Sequence, residues 1–251
     1  MNTMVFSILV TASLLAAVLV GQRIRRFIPE HHLNADTRDT VKLAMGLVAT
    51  MSALLLGLLV SSAKGSFDTT RSEVIQMAAK ITFLDRVLII YGPEATPVRA
   101  GFRETVDGAV RRMWPEDHNL PAQLAPNIQA GDAVYFALQG LSPQNDTQRA
   151  AKAQAASLAT ELAQLRTLLL AQSASSISKP LLIVVVCWLV VIFFSFSVLA
   201  PPNTTASLAL LVAAISVAGA IFLILELDQP FGGLIRISSE PMLNALNQLA
   251  K

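Results

Sequence analysis

One uncharged stretch dominates this sequence. Between Lys179 and Glu226 lie 46 residues without a single Asp, Glu, Lys or Arg, and a Pro-Pro-Asn break divides them into two halves. A helix needs about 20 predominantly apolar residues to cross a hydrocarbon core about 30 Å thick. Residues 181–200 and 206–225 each reach this length, so the sequence predicts two membrane-spanning helices joined by a tight turn.

Two further apolar segments lie near the N-terminus. Residues 4–20 carry no charge, and the basic cluster follows them instead of preceding them, which indicates a retained first span and not a cleaved signal peptide. Residues 41–62 form the second span, and residues 21–40 between them are predicted to be a short polar loop. Only 14% of the chain is charged, against about 25% in soluble domains, which fits a membrane protein.

The 117 residues between spans two and three, residues 63–179, are predicted to form a nearly neutral soluble insertion. Apolar residues recur at helical spacing in four segments of it, which are 66–90, 97–113, 127–141 and 143–179. Ser142 followed by Pro143 predicts the start of the last helix, because a capping hydroxyl commonly precedes proline at the first helical position. Only Gly65 separates the first helix from span two, so we expect two long helices, braced by two shorter ones, in an antiparallel stalk.

The expected fold is therefore an all-α membrane protein. It has four transmembrane helices in two helical hairpins, with a helical-bundle soluble insertion between spans two and three. The predicted parts are the first two spans with their basic loop, the insertion, the second hairpin and a short amphipathic tail, which occupy residues 1–62, 63–179, 180–228 and 229–251.

Spans two and four each carry small residues on one helical face. These are Gly46, Ala49, Thr50, Ala53, Gly57 and Ser61 in span two, and Ala213, Ser216 and Ala220 in span four. In lipid, small residues let helix backbones approach closely, and this close packing is the favoured interpretation. The same face also suits the lining of a narrow pore. We expect spans two and four to be the inner pair and spans one and three the outer pair.

Catalytic motifs are missing from the sequence. Glu30, His31 and His32 are adjacent in the first loop, but neighbouring loop residues rarely point at one ion, so a solvated loop is favoured over a metal site. His118 is interpreted as an exposed polar residue, and Cys187 as a small apolar filler. We therefore expect no enzyme activity, no metal and no cofactor, and the net charge of +2 indicates no nucleic-acid partner.

The motif that closes span four is the most informative one. Its candidate residues are Glu226, Asp228, Pro230, Phe231, Gly232 and Gly233. The two carboxylates are the first charges after the apolar run, the proline prevents continuation of the helix, and the glycine pair permits positive φ for a sharp turn. Ser239 is then a candidate N-cap for a short amphipathic helix.

This Asp-Gln-Pro-Phe-Gly-Gly motif resembles the Pro-Phe-Gly that follows the last membrane helix of bestrophin anion channels, and the order of the elements is similar too. Together with residues 35–39 and 61–68, it resembles a prokaryotic family labelled bestrophin-like. The resemblance implies a homo-oligomer, a ring of five, that conducts anions between spans two and four. Two features differ from bestrophins. Gly-Leu-Ile-Arg replaces the acidic run of their calcium clasp, and span two lacks an aromatic constriction.

Two functions remain open at this point, an anion channel and a non-conducting scaffold or sensor that binds a protein partner through its insertion. The expected location is the bacterial inner membrane, in contact with the lipid bilayer. The positive-inside rule places the loop with Arg23, Arg25 and Arg26 in the cytoplasm and the insertion outside it. The bestrophin resemblance implies the reverse, and the non-cytoplasmic placement is favoured.

Overall fold

The computed structural model describes residues 3–29, 35–115, 122–123, 128–172, 178–201 and 203–250. Within these ranges the chain forms eight α-helices and one short 3-10 helix, Pro93–Ala95. The α-helices are α1 (Thr3–Arg25), α2 (Ala35–Tyr91), α3 (Thr96–Met113), α4 (Ile128–Gln139), α5 (Asp146–Gln172), α6 (Lys179–Leu199), α7 (Thr204–Leu227) and α8 (Glu240–Gln248). Four of them, α1, α2, α6 and α7, are long and apolar enough to cross a membrane, which confirms the all-helical membrane class.

The chain divides into two compact units. The membrane unit comprises Met1–Ser66 and Ser175–Asp228, and the bundle unit comprises Phe67–Ala174 and Gln229–Lys251. The four spanning segments therefore belong to the first unit, and most of the predicted insertion belongs to the second, together with the C-terminal tail.

Helix α1 is the packing centre of the membrane unit. It contacts both α6 and α7 along its length, whereas α6 and α7 contact each other much less. Its apolar side chains Val10, Leu14 and Val18 are almost fully buried in a cluster that includes Val185 of α6 and Ile221 of α7. One face of α6 therefore packs against other helices, although the helix is apolar around its whole circumference.

Close approach of α1 and α6 depends on Gly21. A Cβ at this position would lie 2.8 Å from Ser197 Cβ and 2.9 Å from Phe194 O, which is closer than side chains tolerate. Beside this contact, the Ser197 hydroxyl donates a hydrogen bond to Val18 O. Arg25 then donates to Val198 O at 3.1 Å and also to Ala200 O, so it satisfies carbonyls that the end of α6 leaves free.

The predicted loop at residues 21–40 is shorter in the structure. Helix α1 continues to Arg25 and α2 already begins at Ala35. The basic residues that suggested a loop extend the helix instead, because arginine at a helix C-terminus interacts favourably with the helix dipole. Asn and Asp are common N-cap residues, and the sequence has both near the start of α2. Asp36 lies within the first turn of α2, and Asn34 lies outside the described residues.

Helix α2 is continuous over 57 residues, from Ala35 to Tyr91. It contains span two and the first predicted helix of the insertion, and Gly65 does not interrupt it. At a rise of about 1.5 Å per residue, such a helix is about 85 Å long. The predicted continuity between span and stalk is thereby confirmed.

The bundle unit is built from the second part of α2 with α3, α4, α5 and α8. Buried residues such as Leu84, Leu88 and Phe102 form its core. Arg99 of α3 donates to Asp85 of α2 through two nitrogens, at 2.8 Å and 3.1 Å, and this hydrogen bonding to the carboxylate raises the pKa of the guanidinium. At the surface, Lys80 pairs with Glu161 of α5, and the hydrogen bond from Lys80 lowers the pKa of that carboxyl.

Helix α5 begins three residues later than the sequence predicted. It starts at Asp146, and the Asn145 side chain accepts a hydrogen bond from the Gln148 backbone N–H at 2.8 Å. An asparagine oxygen satisfies a free N–H as well as a serine hydroxyl does. The predicted start at Ser142 and Pro143 is therefore wrong, because a second capping residue lies closer to the periodic segment.

Candidate functional site

Three faces of the membrane half of α2 have different surroundings. Successive residues of a helix are rotated by about 100° around its axis. The side chains of this half of α2 therefore form a buried face, a small-residue face and a leucine face. The buried face includes Ser52, Leu59 and Ala63, of which the last two belong to the cluster shared with α1, α6 and α7. The leucine face includes Leu47, Leu54 and Leu58, which are 67%, 71% and 59% exposed.

The small-residue face of α2 is the face that the sequence analysis singled out. Its members are Gly46, Ala49, Thr50, Ala53, Gly57 and Ser61, and all of them are exposed or half-buried. Nothing lies within 4 Å of a Cβ built on Gly46 or Gly57. Among the described residues of one chain, this face therefore makes no close packing, and the expectation of close packing stays a prediction. The hydroxyl of Thr50 has a partner within the helix, since it donates to Gly46 O at 2.9 Å.

The small residues predicted on α7 are in a similar position. Ala213 and Ser216 are exposed and Ala220 is half-buried, while the neighbouring Ala214 and Ala218 are the ones buried in the helix core. The Ser216 hydroxyl donates to Val212 O at 2.8 Å. The described residues of a single chain thus leave the small-residue face of α7 without close packing, as they do that of α2.

The membrane-exit motif closes span four as predicted. Helix α7 ends at Leu227, so Glu226 lies in its last turn and is fully buried, while Asp228 follows directly. Of the two glycines, only Gly233 adopts positive φ, at 70°. The glycine pair was expected to provide this freedom, and one of its members uses it.

The rest of the motif packs within the bundle unit. The Phe231 ring lies edge-on to Trp114 with 5.6 Å between the ring centroids, and Trp114 Nε1 donates to Ile237 O at 2.9 Å. Ile237 N–H in turn donates to Pro230 O at 2.8 Å. The motif therefore anchors the tail on the end of α3, a role for Phe231 that the sequence alone did not indicate. Helix α8 follows from Ser239, whose side chain makes no capping hydrogen bond.

Metal chemistry has no support in the part of the chain that the structure describes. Within it, no group of three or more His, Cys, Asp and Glu residues could hold a metal ion. Glu30, His31, His32 and His118 lie outside the described residues. In the Gly-Leu-Ile-Arg segment that follows span four, Arg236 donates a hydrogen bond to Gly233 O at 2.8 Å.

Sequence reasoning missed the polar contacts that join α1 to the end of α6 and the start of α7. Gln22 donates to the Ser207 hydroxyl at 3.0 Å, in addition to the contacts of Gly21 and Arg25. The available signal was a glycine and a glutamine at the end of an apolar run. Both had been assigned to the loop, because polar residues after a span commonly mark its end.

Comparisons with known proteins agree on one family. A family model described as a Bestrophin-like domain matches residues 11–242. The crystal structure of a bacterial bestrophin homolog from Klebsiella pneumoniae, carrying a Leu-to-Thr mutation, matches with a TM-score of 0.71 at 13% identity, covering 96% of this chain and 97% of that one. A second variant of that homolog, with an Ile-to-Thr mutation, matches with a TM-score of 0.62 at 13% identity and covers 97% of each chain. A search of curated proteins found no match.

Proposed function

The chain belongs to the bestrophin-like family, and we propose on that premise that it assembles as a homo-oligomer around a central pore that conducts anions. One observation carries the proposal, namely the unpacked small-residue face of α2. Only 11% of the apolar window of α2 is buried inside the chain, the lowest share of the four spans. We infer that a neighbouring subunit or a pore lies beside this face.

The composition of the face supports a pore or a close subunit contact over simple lipid exposure. Each glycine in a helix interior costs about 1 kcal/mol relative to alanine, so Gly46 and Gly57 weaken the helix they belong to. Lipid-facing positions gain nothing from such residues, whereas close helix contacts and narrow pores do. We infer that the small-residue faces of α2 and α7 lie towards the centre of the oligomer.

The part of α2 that is proposed to line the pore carries no carboxylate. Residues 40–63 of α2 contain no Asp or Glu. Cation-selective pores commonly carry rings of carboxylates, and none could form along this part of the helix. The proposed pore therefore presents backbone and small side chains without fixed negative charge, in agreement with the anion conduction that the bestrophin resemblance implies.

Anion flux from liposomes tests the assignment of the face. A Gly57→Trp variant places a large ring on the small-residue face, and we expect chloride flux to fall at least about tenfold because the ring narrows the pore. The Leu58→Trp variant is the matched control, since it lies at the same depth on the leucine face and should retain flux. Equal flux from both variants and the unmodified protein would show that this face does not line the pore.

A non-conducting scaffold or sensor is the second candidate function. It is favoured by apolar side chains that are exposed on the bundle unit, of which Phe136 of α4 is 70% exposed and Phe83 of α2 is 48% exposed. Such side chains suit the capture of a partner protein. The same liposome assay separates the two functions, because a scaffold would give no flux with the unmodified protein at any anion gradient.

A further inference from the structure

A cavity of about 580 Å³ lies within the bundle unit. Its wall is mainly apolar and is contributed by α2, α3, α4, α5 and α8, with Met77, Ile81, Phe102, Val106, Leu169 and Met242 among its lining residues. Small-molecule sites typically have volumes of about 300–1,000 Å³ and mostly apolar walls with a few polar groups. The cavity therefore has the size and the wall of a ligand site.

Two arginines are among the polar residues that line this cavity. Arg112 near the end of α3 and Arg166 of α5 both line it, and both are half-buried. Burial, and then repulsion from Arg112, lowers the pKa of Arg166. Asp132 also lines the cavity, but among the described residues neither arginine forms an ion pair with it or with another carboxylate. The largely apolar lining thus holds two arginines and one aspartate, which leaves an excess of one positive charge.

Both guanidinium groups lie beside glycines. Arg112 Nη1 lies 3.6 Å from the position of a Cβ on Gly108, and Arg166 Nη1 lies 3.8 Å from that of a Cβ on Gly131. These are ordinary van der Waals distances, so each guanidinium group packs against the backbone of a neighbouring helix turn.

We propose that this cavity binds the carboxylate form of a long-chain fatty acid, with its headgroup on Arg112 and Arg166 and its single chain along the apolar wall. Guanidinium groups bind carboxylates through paired, charge-assisted hydrogen bonds. A neutral apolar ligand would leave the excess positive charge of the wall without a partner among the described residues, and a small polar anion would leave the apolar wall in contact with water. A two-chain phospholipid is too large for the volume.

Photolabelling of the full-length protein in nanodiscs of zwitterionic lipid tests the proposal. The probe is a 16-carbon fatty acid that carries a diazirine in its chain, and the labelled peptides are identified by mass spectrometry. We expect labels on α3 and α5 around the cavity, and competition by unlabelled palmitate. A diazirine fatty alcohol of the same length should label these peptides at least about tenfold less, because it lacks the charge that the arginines bind.

Two variants and a matched control assign the label to the site. The Arg112→Gln/Arg166→Gln variant should lose labelling at least about tenfold. Arg103→Gln/Arg111→Gln removes the same charge from exposed positions of α3 and should label normally. Ala159→Phe keeps both arginines but fills the cavity that Ala159 lines, and should also lose labelling. Thermal unfolding of each variant shows whether it is folded.

Three results would overturn the proposal. The first is a label confined to the membrane unit, and the second is equal labelling by the alcohol probe. The third is normal labelling of folded Arg112→Gln/Arg166→Gln or Ala159→Phe protein. None of these results depends on whether the protein conducts ions, so the fatty-acid site and the channel are tested separately.

Discussion

The absence of one side chain, at Gly21, sets the distance between α1 and α6. Because the nearest atoms include Phe194 O, a backbone atom that cannot rotate away, even a methyl group must push the helices apart. We expect Gly21→Ala to destabilise the membrane unit by about 1–3 kcal/mol, the usual cost of overpacking. Gly219→Ala is the control, since nothing lies within 4 Å of its Cβ position. Unfolding of both variants in mixed detergent should separate them, and equal midpoints would contradict the close approach.

The ion pair of Asp85 and Arg99 is the second residue-scale feature with a measurable energy. Only 8% of the Asp85 side chain is exposed, against 25% for Arg99. Asp85→Asn removes the charge and leaves a partly buried guanidinium without its partner, so we expect a loss of about 2 kcal/mol in stability.

The exposed pair of Asp107 and Arg111 provides the comparison for this prediction. Their side chains are 37% and 77% exposed, and Asp107→Asn should cost less than about 1 kcal/mol. Thermal unfolding of the purified protein measures both changes. A smaller effect for Asp85→Asn than for Asp107→Asn would show that the buried pair does not stabilise the bundle unit.

At the scale of elements, the start of α5 is decided by Asn145 and not by Ser142. Removing the capping oxygen with Asn145→Ala leaves the Gln148 N–H without its acceptor, so we expect a loss of about 1 kcal/mol. The same measurement on Ser142→Ala should show a change near zero, because that residue precedes the helix by several positions. Thermal unfolding followed by circular dichroism distinguishes them, and a larger effect at Ser142 would support the start predicted from sequence.

The spanning helices could be predicted because each depends on a local property of the sequence. An apolar run of about 20 residues, or a polar segment with no Gly or Pro breaker, predicts a helix without knowledge of its neighbours. Gly65 was the one possible break between span two and the next helix, and α2 continues through it. Helix ends were less accurate, as at Arg25 and Asp146, since several residues compete to cap or extend a helix and the difference is about 1 kcal/mol.

The positions of the candidate site residues could be predicted better than their surroundings. The small residues of α2 share one face, and so do those of α7, because the helical period alone determines which residues lie on the same face. Which helices pack together did not follow from the period, because an apolar face in a membrane is equally compatible with lipid and with another helix. The central role of α1, and the pair of arginines in the bundle cavity, both arise from contacts between residues that are far apart in the sequence.

At the scale of the whole molecule, the proposed function requires assembly. In the part of the chain that the structure describes, the small-residue faces of α2 and α7 are unpacked, and the proposed pore exists only if several copies place these faces around a common axis. Homo-oligomers with closed rotational symmetry form in this way, since each copy presents the same face to the centre. A single chain of 26.9 kDa with four spans has too few helices to enclose a pore between such faces.

The mass of the particle released from membranes in mild detergent tests this claim most directly, by native mass spectrometry of the unmodified protein. We predict a ring of several copies of the 26.9 kDa chain, five by the bestrophin resemblance. A particle with one or two copies would contradict the proposed homo-oligomeric pore, because neither encloses a central pore.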